Sequence, residues 1–106
     1  MAIRLDPFSA TMWAHLLGRS LLQQGRFTEA IEVYSTTDYP RFGYHADMAG
    51  CYANLEKHVE DGEHVAEVLK LKPNFSVSEY IAQLAYKYER DRERHRTLLE
   101  TAPLPA

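Results

Sequence analysis

The sequence predicts an all-α domain in which about five to six short helices pair as antiparallel hairpins and stack as a short solenoid. Two observations support this fold class. Apolar residues recur three or four positions apart in segments that end at glycine or proline, which is the spacing of amphipathic helices. Strand signals are poor, because the sequence has neither sustained alternation of apolar and polar residues nor a two-residue hairpin turn.

The length and composition are those of one folded domain. The chain has 106 residues, of which 45% are hydrophobic and 25% are charged. This balance is typical of a globular protein and differs from that of a disordered chain. We therefore expect residues 1–106 to form a single domain.

The first hairpin is predicted for residues 10–40. Its first helix covers about residues 11–24, and Gly25 can end this helix by adopting the left-handed conformation. Its second helix covers about residues 28–35. Two amphipathic helices joined by so few residues must fold back on each other. The apolar positions of the two helices are Trp13, Leu16, Leu17, Leu21, Phe27, Ala30, Ile31 and Tyr34.

Four further helices are predicted from the same apolar spacing. The third lies within residues 44–55 and the fourth within residues 59–69. Ser76, with an acidic residue three positions later, forms a capping box for a fifth helix over residues 77–88. The sixth helix, over about residues 91–101, is highly charged and is expected to be largely solvated.

The first hairpin carries an ordered set of residues: Leu17, Gly18, Leu21, Gly25, Phe27, Ala30 and Tyr34. This set resembles the tetratricopeptide repeat (TPR), a helix-turn-helix unit that recurs about every 34 residues. Small residues are needed at Gly18 and Ala30, because the two helices touch there and a larger side chain would force them apart. The positions expected to pack helices together are Leu17, Gly18, Leu21, Phe27, Ala30, Tyr34, Tyr52 and Pro73.

A second, degenerate hairpin is predicted for residues 41–75. Met48 and Ala49 replace the Leu-Gly pair of the repeat, and Glu56 replaces the glycine between the helices. Asp61 falls where the small alanine is expected, and Gly62 follows it. Either the register shifts by one residue and places Gly62 at the helix contact, or this hairpin packs loosely. We favour the shift.

The two ends of the chain complete the predicted domain organisation. Residues 76–106 would form a C-terminal hairpin or cap, and residues 1–9 resemble the tail end of a preceding repeat. A helix end without its partner helix suggests a fragment of a larger protein with further repeats or another domain upstream. The alternative is a natural short chain that begins with an irregular arm.

A second resemblance covers nearly the whole chain. The matching residues are those at 3–7, 17–19, 25–27, 51–55, 69–76, 92–94 and 98–99. They resemble the C-terminal TPR tail of bacterial class III adenylate/guanylate cyclases. The resemblance implies a regulatory module of a larger signalling protein, whose cyclase domain would lie upstream. No cyclase catalytic residue is present in this chain, so we expect the chain itself not to be an enzyme.

Charge, cysteine content and hydropathy disfavour several other classes. The net charge is −3, whereas nucleic-acid binders usually carry a positive surplus. Cys51 stands alone, which excludes an internal disulfide and favours a reducing compartment. No apolar run is long enough to cross a bilayer, and residues 1–7 do not resemble a signal peptide. We expect a cytoplasmic protein.

We also expect no metal, cofactor or catalytic group. The five histidines lack the spacing of three or four that places two ligands on one helix face, so exposed or half-buried histidines are the simpler interpretation. Cys51 lies on an apolar helix face and should behave as a small buried hydrophobe. No glycine-rich loop opens a helix, so a phosphate-binding loop is not expected.

The expected binding surface is the concave face, which the first helix of each hairpin lines in a TPR stack. Arg19 and Lys87 could hold a peptide carboxylate there. Tyr80 and Tyr88 are the tyrosines expected to be exposed, while the other tyrosines should pack in the core. The full set of expected partner-binding residues is His15, Arg19, Gln23, Asn54, Tyr80, Lys87 and Tyr88.

The middle of that face is lined by small residues, namely Gly43, Ala46, Gly50 and Ala53. Small residues allow close approach by a partner helix, and they fit equally well a surface that binds nothing. We expect a protein or peptide partner and a homodimer that covers an exposed Trp13 or Phe8. A structural spacer or dimerisation domain for an upstream enzyme is the alternative function. A DNA-binding domain is disfavoured by the acidic balance.

Overall fold

The computed structural model describes the backbone of residues 7–37 and 41–106, and the side chains of these ranges from residue 12 onward. Within these residues the chain forms six α-helices and no strand, as the sequence predicts. The helices are α1 (Pro7–Gln23), α2 (Phe27–Tyr34), α3 (Phe42–Asn54), α4 (His58–Leu71), α5 (Val77–Gln83) and α6 (Glu89–Glu100).

Helices α1 and α5 differ most from their predicted bounds. Helix α1 starts at Pro7, where the fixed backbone angle of proline suits the first turn. Residues 7–9 therefore belong to α1, and the rest of the predicted preceding repeat lies outside the described residues. Helix α5 ends at Gln83, five residues early, because the backbone becomes extended at Leu84. The extended segment brings the Tyr86 hydroxyl to 2.7 Å from His95 Nδ1 in α6.

The turns of the first two hairpins have the same backbone geometry. Gly25 has a φ of 77° and Glu56 a φ of 60°, so both residues are in the left-handed region. Each turn is closed by the same bond: the amide after the left-handed residue donates to a carbonyl five residues earlier, at 2.9 Å in both cases. Glu56 thus occupies the glycine position of the turn, at the energetic cost of a conformation that only glycine adopts freely.

The predicted register shift in the second hairpin is wrong. Ala30 is fully buried in α2, and Asp61 is buried at the equivalent place in α4 with 2% of its surface exposed. Gly62 is exposed, and an added Cβ would meet nothing within 4 Å. Asp61 is tolerated at the contact because its carboxylate lies 3.0 Å from His58 Nδ1 and sits in the first turn of α4, where negative charge is favoured.

The close contact expected at Gly18 is present. A Cβ at this position would lie 2.7 Å from the ring of Tyr34, which is fully buried. Ala30 is equally buried, and Leu17, Leu21 and Phe27 pack in the same core cluster. Tyr52 is half-buried between α3 and α4, where it stacks on the ring of His64 at 5.4 Å. These predicted packing positions lie at helix contacts.

Pro73 does not pack between helices. It is exposed, and it stands just after the end of α4 at Leu71. Its role is to stop the helix, because proline lacks an amide donor and disfavours a helical residue before it. The C-terminal tail returns to the start of α5, where the Val77 amide donates to the Pro105 carbonyl at 2.9 Å.

Helix α6 covers the face of α3 that carries small residues. A Cβ at Gly50 would lie 2.7 Å from Leu99 of α6, and a Cβ at Gly43 would lie 3.0 Å from the ring of Tyr80. Helix α6 also packs against α1. The chain therefore fills its own small-residue face, with α6 at Gly50 and Tyr80 of α5 at Gly43.

Candidate functional site

Two of the residues expected to contact a partner instead form hydrogen bonds within the chain. Gln23 donates through Nε2 to the Tyr86 hydroxyl at 3.0 Å and to the Asp91 carbonyl at 2.8 Å. Asn54 donates through Nδ2 to the carbonyl of Leu98 at 2.9 Å. Both side chains thereby attach α6 to α1 and α3.

Tyr80 was expected to be exposed, but 93% of it is covered: only 7% of its surface remains accessible. Its ring packs beside Gly43, and its hydroxyl donates to Asp47 Oδ1 at 3.2 Å. The helical spacing of α5 placed Tyr80 on an apolar stripe, and the small Gly43 leaves room for it in the core. Tyr88 is exposed as expected, with 49% of its surface accessible.

The remaining members of the expected surface are partly accessible. Arg19 is half-buried, with its guanidinium carbon 5.2 Å from the centre of the Tyr86 ring. Lys87 is exposed, and its Nζ lies 5.4 Å from the centre of the Tyr88 ring. His15 is half-buried and stacks on Tyr44 with ring centres 5.4 Å apart. Partner binding by these three residues, and carboxylate binding by Arg19 and Lys87, stays a prediction.

The structure places a buried polar network where α3 meets α6. Asp47 and His95 are both fully buried, and Asp47 Oδ1 lies 2.8 Å from His95 Nε2. The Tyr34 hydroxyl donates to Asp47 Oδ2 at 2.8 Å. On its other side, His95 Nδ1 lies 2.7 Å from the Tyr86 hydroxyl. The network thus joins side chains of α2, α3, α5 and α6 with the segment between the last two helices.

The electrostatics favour a charged Asp47. Burial alone would raise the pKa of its carboxyl group, but the charge and hydrogen bond of His95 and the Tyr34 hydrogen bond outweigh burial and lower it. Burial, together with the charge of Asp47, raises the pKa values of Tyr34 and Tyr80 well above their ordinary value. Both tyrosines therefore stay protonated and act as donors to Asp47.

An acid, an imidazole and a hydroxyl in sequence are also the parts of a proton relay. In this chain both ring nitrogens of His95 are engaged by Asp47 and Tyr86, and the ring has no accessible surface. A substrate cannot reach it without displacement of α6. The geometry therefore supports a structural role, in which the network holds α6 against α3.

Sequence reasoning missed both Asp47 and His95. One weak signal was present: Asp47 is the only charged residue among the small and apolar residues of α3 between Ala46 and Ala53. His95 lies four residues before the buried Leu99, and so on the same face of α6. A buried pair between two helices far apart in sequence cannot be read from either helix alone.

A cavity of about 280 Å³ opens beside this network. His15 Nδ1 is buried at its edge and, within the described residues, makes no hydrogen bond. Burial, more than the opposing charge of Asp47, lowers the pKa of His15, so the neutral ring is favoured. The lining residues are Met12, His15, Arg41, Phe42, Gly43, Tyr44 and Tyr80.

Cys51 is fully buried, as expected from its apolar helix face. Burial and the charge of Asp47 raise the pKa of its thiol, which opposes a nucleophilic role. In the described part of the chain, no group of three His, Cys, Asp or Glu side chains is arranged to hold a metal ion. None of the helices described is long and apolar enough to cross a membrane.

Comparison with known proteins finds no match to this chain. No family model, no curated protein and no solved structure matches the chain.

Proposed function

We propose that the chain is a non-catalytic protein-interaction module of the TPR type, in which α1 to α4 form two successive repeats. The shared turn geometry at Gly25 and Glu56 supports this proposal, as do the equivalent buried positions Ala30 and Asp61. The resemblance of the sequence to cyclase tails makes a signalling enzyme the first context to consider. The partner would be a protein or peptide.

The observation that carries the proposal is the cavity beside α1, together with the surface around it. Met12 lines the cavity and has 45% of its surface exposed, while Trp13 and Leu16 nearby are 59% and 48% exposed. Arg41 is exposed at the cavity, where it can pair with an acidic group. The cavity and its surroundings suit a peptide in which a bulky apolar residue is followed or preceded by an acidic residue.

A peptide-display selection tests this function. We expect the protein to enrich peptides that carry one bulky apolar residue beside an acidic residue. Met12→Glu should abolish their binding, and Arg41→Ala should weaken it. Leu71→Glu is the matched control, because Leu71 is similarly exposed at 52% but lies at the end of α4. A failure to enrich peptides, or equal loss in the control, would contradict the proposal.

The position of α6 supports a second candidate, the structural spacer or dimerisation domain. The small-residue face that could receive a partner helix is filled by α6 and by Tyr80 of α5 in the same chain. The exposed Trp13 and Leu16 would then be covered by a second copy. Light scattering at increasing concentration tests this role: a dimer that Trp13→Ser dissociates supports it, and a monomer at all concentrations contradicts it.

A further inference from the structure

The cavity beside α1 has mostly aromatic walls. His15 lies parallel to the ring of Tyr44, with the ring centres 5.4 Å apart and an angle of 8° between the planes. Two other lining residues, Phe42 and Tyr80, meet edge to face, with ring centres 6.1 Å apart and an angle of 67°. An aromatic side chain gains ring contacts in such a place that an aliphatic side chain does not make.

One polar atom of the lining has no partner. His15 Nδ1 is buried, and the described residues offer it no hydrogen bond. The Tyr80 hydroxyl, in contrast, lies 3.2 Å from Asp47 Oδ1 and 3.3 Å from the Gly43 carbonyl. A buried polar atom without a partner costs free energy and calls for an explanation, which a water molecule or a ligand group can supply.

A water molecule would be a poor partner for His15 Nδ1. A buried water is typically held by about two to four polar groups. Most of the side chains that line the cavity are apolar or aromatic, and the Tyr80 hydroxyl is already bonded. A ligand group that makes the same hydrogen bond, on a side chain that fills the apolar space, would therefore replace such a water favourably.

The missing partner of His15 is a hydrogen-bond donor. Burial lowers the pKa of His15, so at neutral pH the ring is uncharged and carries one proton. In the protein backbone, buried N–H groups without a partner are rarer than buried acceptors without one. The same cost favours the proton of His15 on Nε2, which leaves a lone pair on Nδ1 as an acceptor.

The surroundings of the cavity are positively charged. Arg41 is exposed and lines the cavity, and Lys72 Nζ lies 5.5 Å from the centre of the Phe42 ring. Aromatic walls can hold a cationic ligand, but these two side chains would repel one. They favour a carboxylate next to the bound ring, because a hydrogen bond between a guanidinium and a carboxylate is strong.

The geometry points to a cavity that selects an aromatic side chain with a hydrogen-bond donor, tryptophan or tyrosine, beside an acidic residue of the partner peptide. The ring lies among Phe42, Tyr44 and Tyr80. Its N–H or O–H group donates to His15 Nδ1. The cavity volume of about 280 Å³ suits one side chain, because sites for whole drug-sized ligands begin at roughly 300 Å³. This inference rests on the proposed function and narrows its ligand to these two residue types.

Met12 provides the way in. It stands three residues before His15, so the two side chains are neighbours on α1. It also lines the cavity, and 45% of its surface is exposed. The unbranched side chain of methionine adapts easily to a new neighbour. Movement of Met12 opens His15 Nδ1 to the donor of the bound ring.

Titration calorimetry with four matched peptides tests the inference. The peptides differ only in the residue beside one aspartate, which is tryptophan, indole-N-methylated tryptophan, tyrosine or phenylalanine. We expect the tryptophan peptide to bind about two- to tenfold more tightly than its methylated form, which is the factor that one net hydrogen bond supplies. The tyrosine peptide should exceed the phenylalanine peptide by a similar factor.

His15→Phe separates the hydrogen bond from the shape of the cavity. Phenylalanine keeps a ring against Tyr44 but has no acceptor, so both preferences should vanish. His64→Phe is the matched control, because His64 is also half-buried and stacks on a tyrosine, Tyr52, at 5.4 Å. This control should keep both preferences. Preferences that survive in His15→Phe would come from shape alone and would overturn the inference.

Nitrogen NMR on the wild-type chain guards against variants that fail to fold. The His15 signals should show an unprotonated Nδ1, and this signal should shift more with the tryptophan peptide than with the methylated one. A protonated Nδ1, or equal shifts, would overturn the inference. Failure of the proposed function gives a different result. Equal binding of all four peptides refutes only the need for a donor, whereas no binding by any of them refutes the cavity function and this inference together.

Discussion

Replacement of His95 by leucine should detach α6 from the rest of the domain. His95 has no accessible surface, and its Nε2 lies 2.8 Å from Asp47 Oδ1. In the His95→Leu variant the charged carboxylate of Asp47 stays buried, with only the hydroxyls of Tyr34 and Tyr80 left as donors. Leucine has a similar size, so the variant tests the bond rather than the volume.

The magnitude follows from the burial of the pair. Removal of one partner leaves a buried polar group unsatisfied at a cost of about 1–3 kcal/mol, and more when that group is charged. Asp47 is charged but keeps two hydroxyl donors, which places the expected loss at about 3 kcal/mol. A small domain has about 5–15 kcal/mol of stability in total, so this loss is easily measured.

Urea unfolding followed by circular dichroism measures this free energy, and hydrogen exchange shows where the protection is lost. Arg26→Leu is the matched control, since Arg26 pairs with Glu29 but both side chains are 51% exposed. The control should lose no more than about 1 kcal/mol. In His95→Leu the amides of α6 should exchange faster than those of α3 and α4. An equal loss in both variants, or unchanged protection of α6, would refute the reasoning.

Three further predictions concern the first two hairpins. Gly18→Ala should destabilise the fold by about 1–3 kcal/mol in urea unfolding, because the added Cβ would meet the rigid ring of Tyr34 at 2.7 Å; no loss would contradict the close contact. Glu56→Gly should stabilise the fold by about 1 kcal/mol, because glycine adopts a φ of 60° without strain; a lower unfolding midpoint would contradict this. Burial lowers the pKa of His64 from its ordinary value of 6.5, so the folded state favours the neutral ring. Because the unfolded chain binds the proton more readily, the folded state loses stability as the pH falls below that value. His64→Phe, which keeps an aromatic ring against Tyr52, should lose less stability than the wild type between about pH 7 and pH 5.5; equal losses would show that this ring does not govern the acid sensitivity.

The helices could be predicted from the sequence because each one has its own local pattern of apolar residues. Leu17, Leu21 and Tyr34 recur at helical spacing, and Gly25 marks the turn. Gly18 could be placed at a helix contact because the repeat pattern assigns a small residue there. These are local features, and the structure contains them.

The long-range contacts could not be predicted in the same way. Gly43 and Gly50 indicated close approach, but the pattern could not tell a partner helix from α5 and α6 of the same chain. His95 could not be singled out from the sequence, because it lies in a charged segment whose other residues are mostly exposed. The Asp61 register was missed because a buried carboxylate is costly unless it is paired, and its partner His58 belongs to the same turn of α4.

The most direct test of the account is a nuclear Overhauser measurement between α3 and α6. The central claim is that α6 lies on the small-residue face of α3, with Leu99 against Gly50 and Asn54 bonded to the Leu98 carbonyl. We predict a strong Overhauser effect between the Leu99 methyl groups and the Gly50 α-protons. Its absence, with Leu99 methyl shifts typical of an exposed side chain, would contradict the claim.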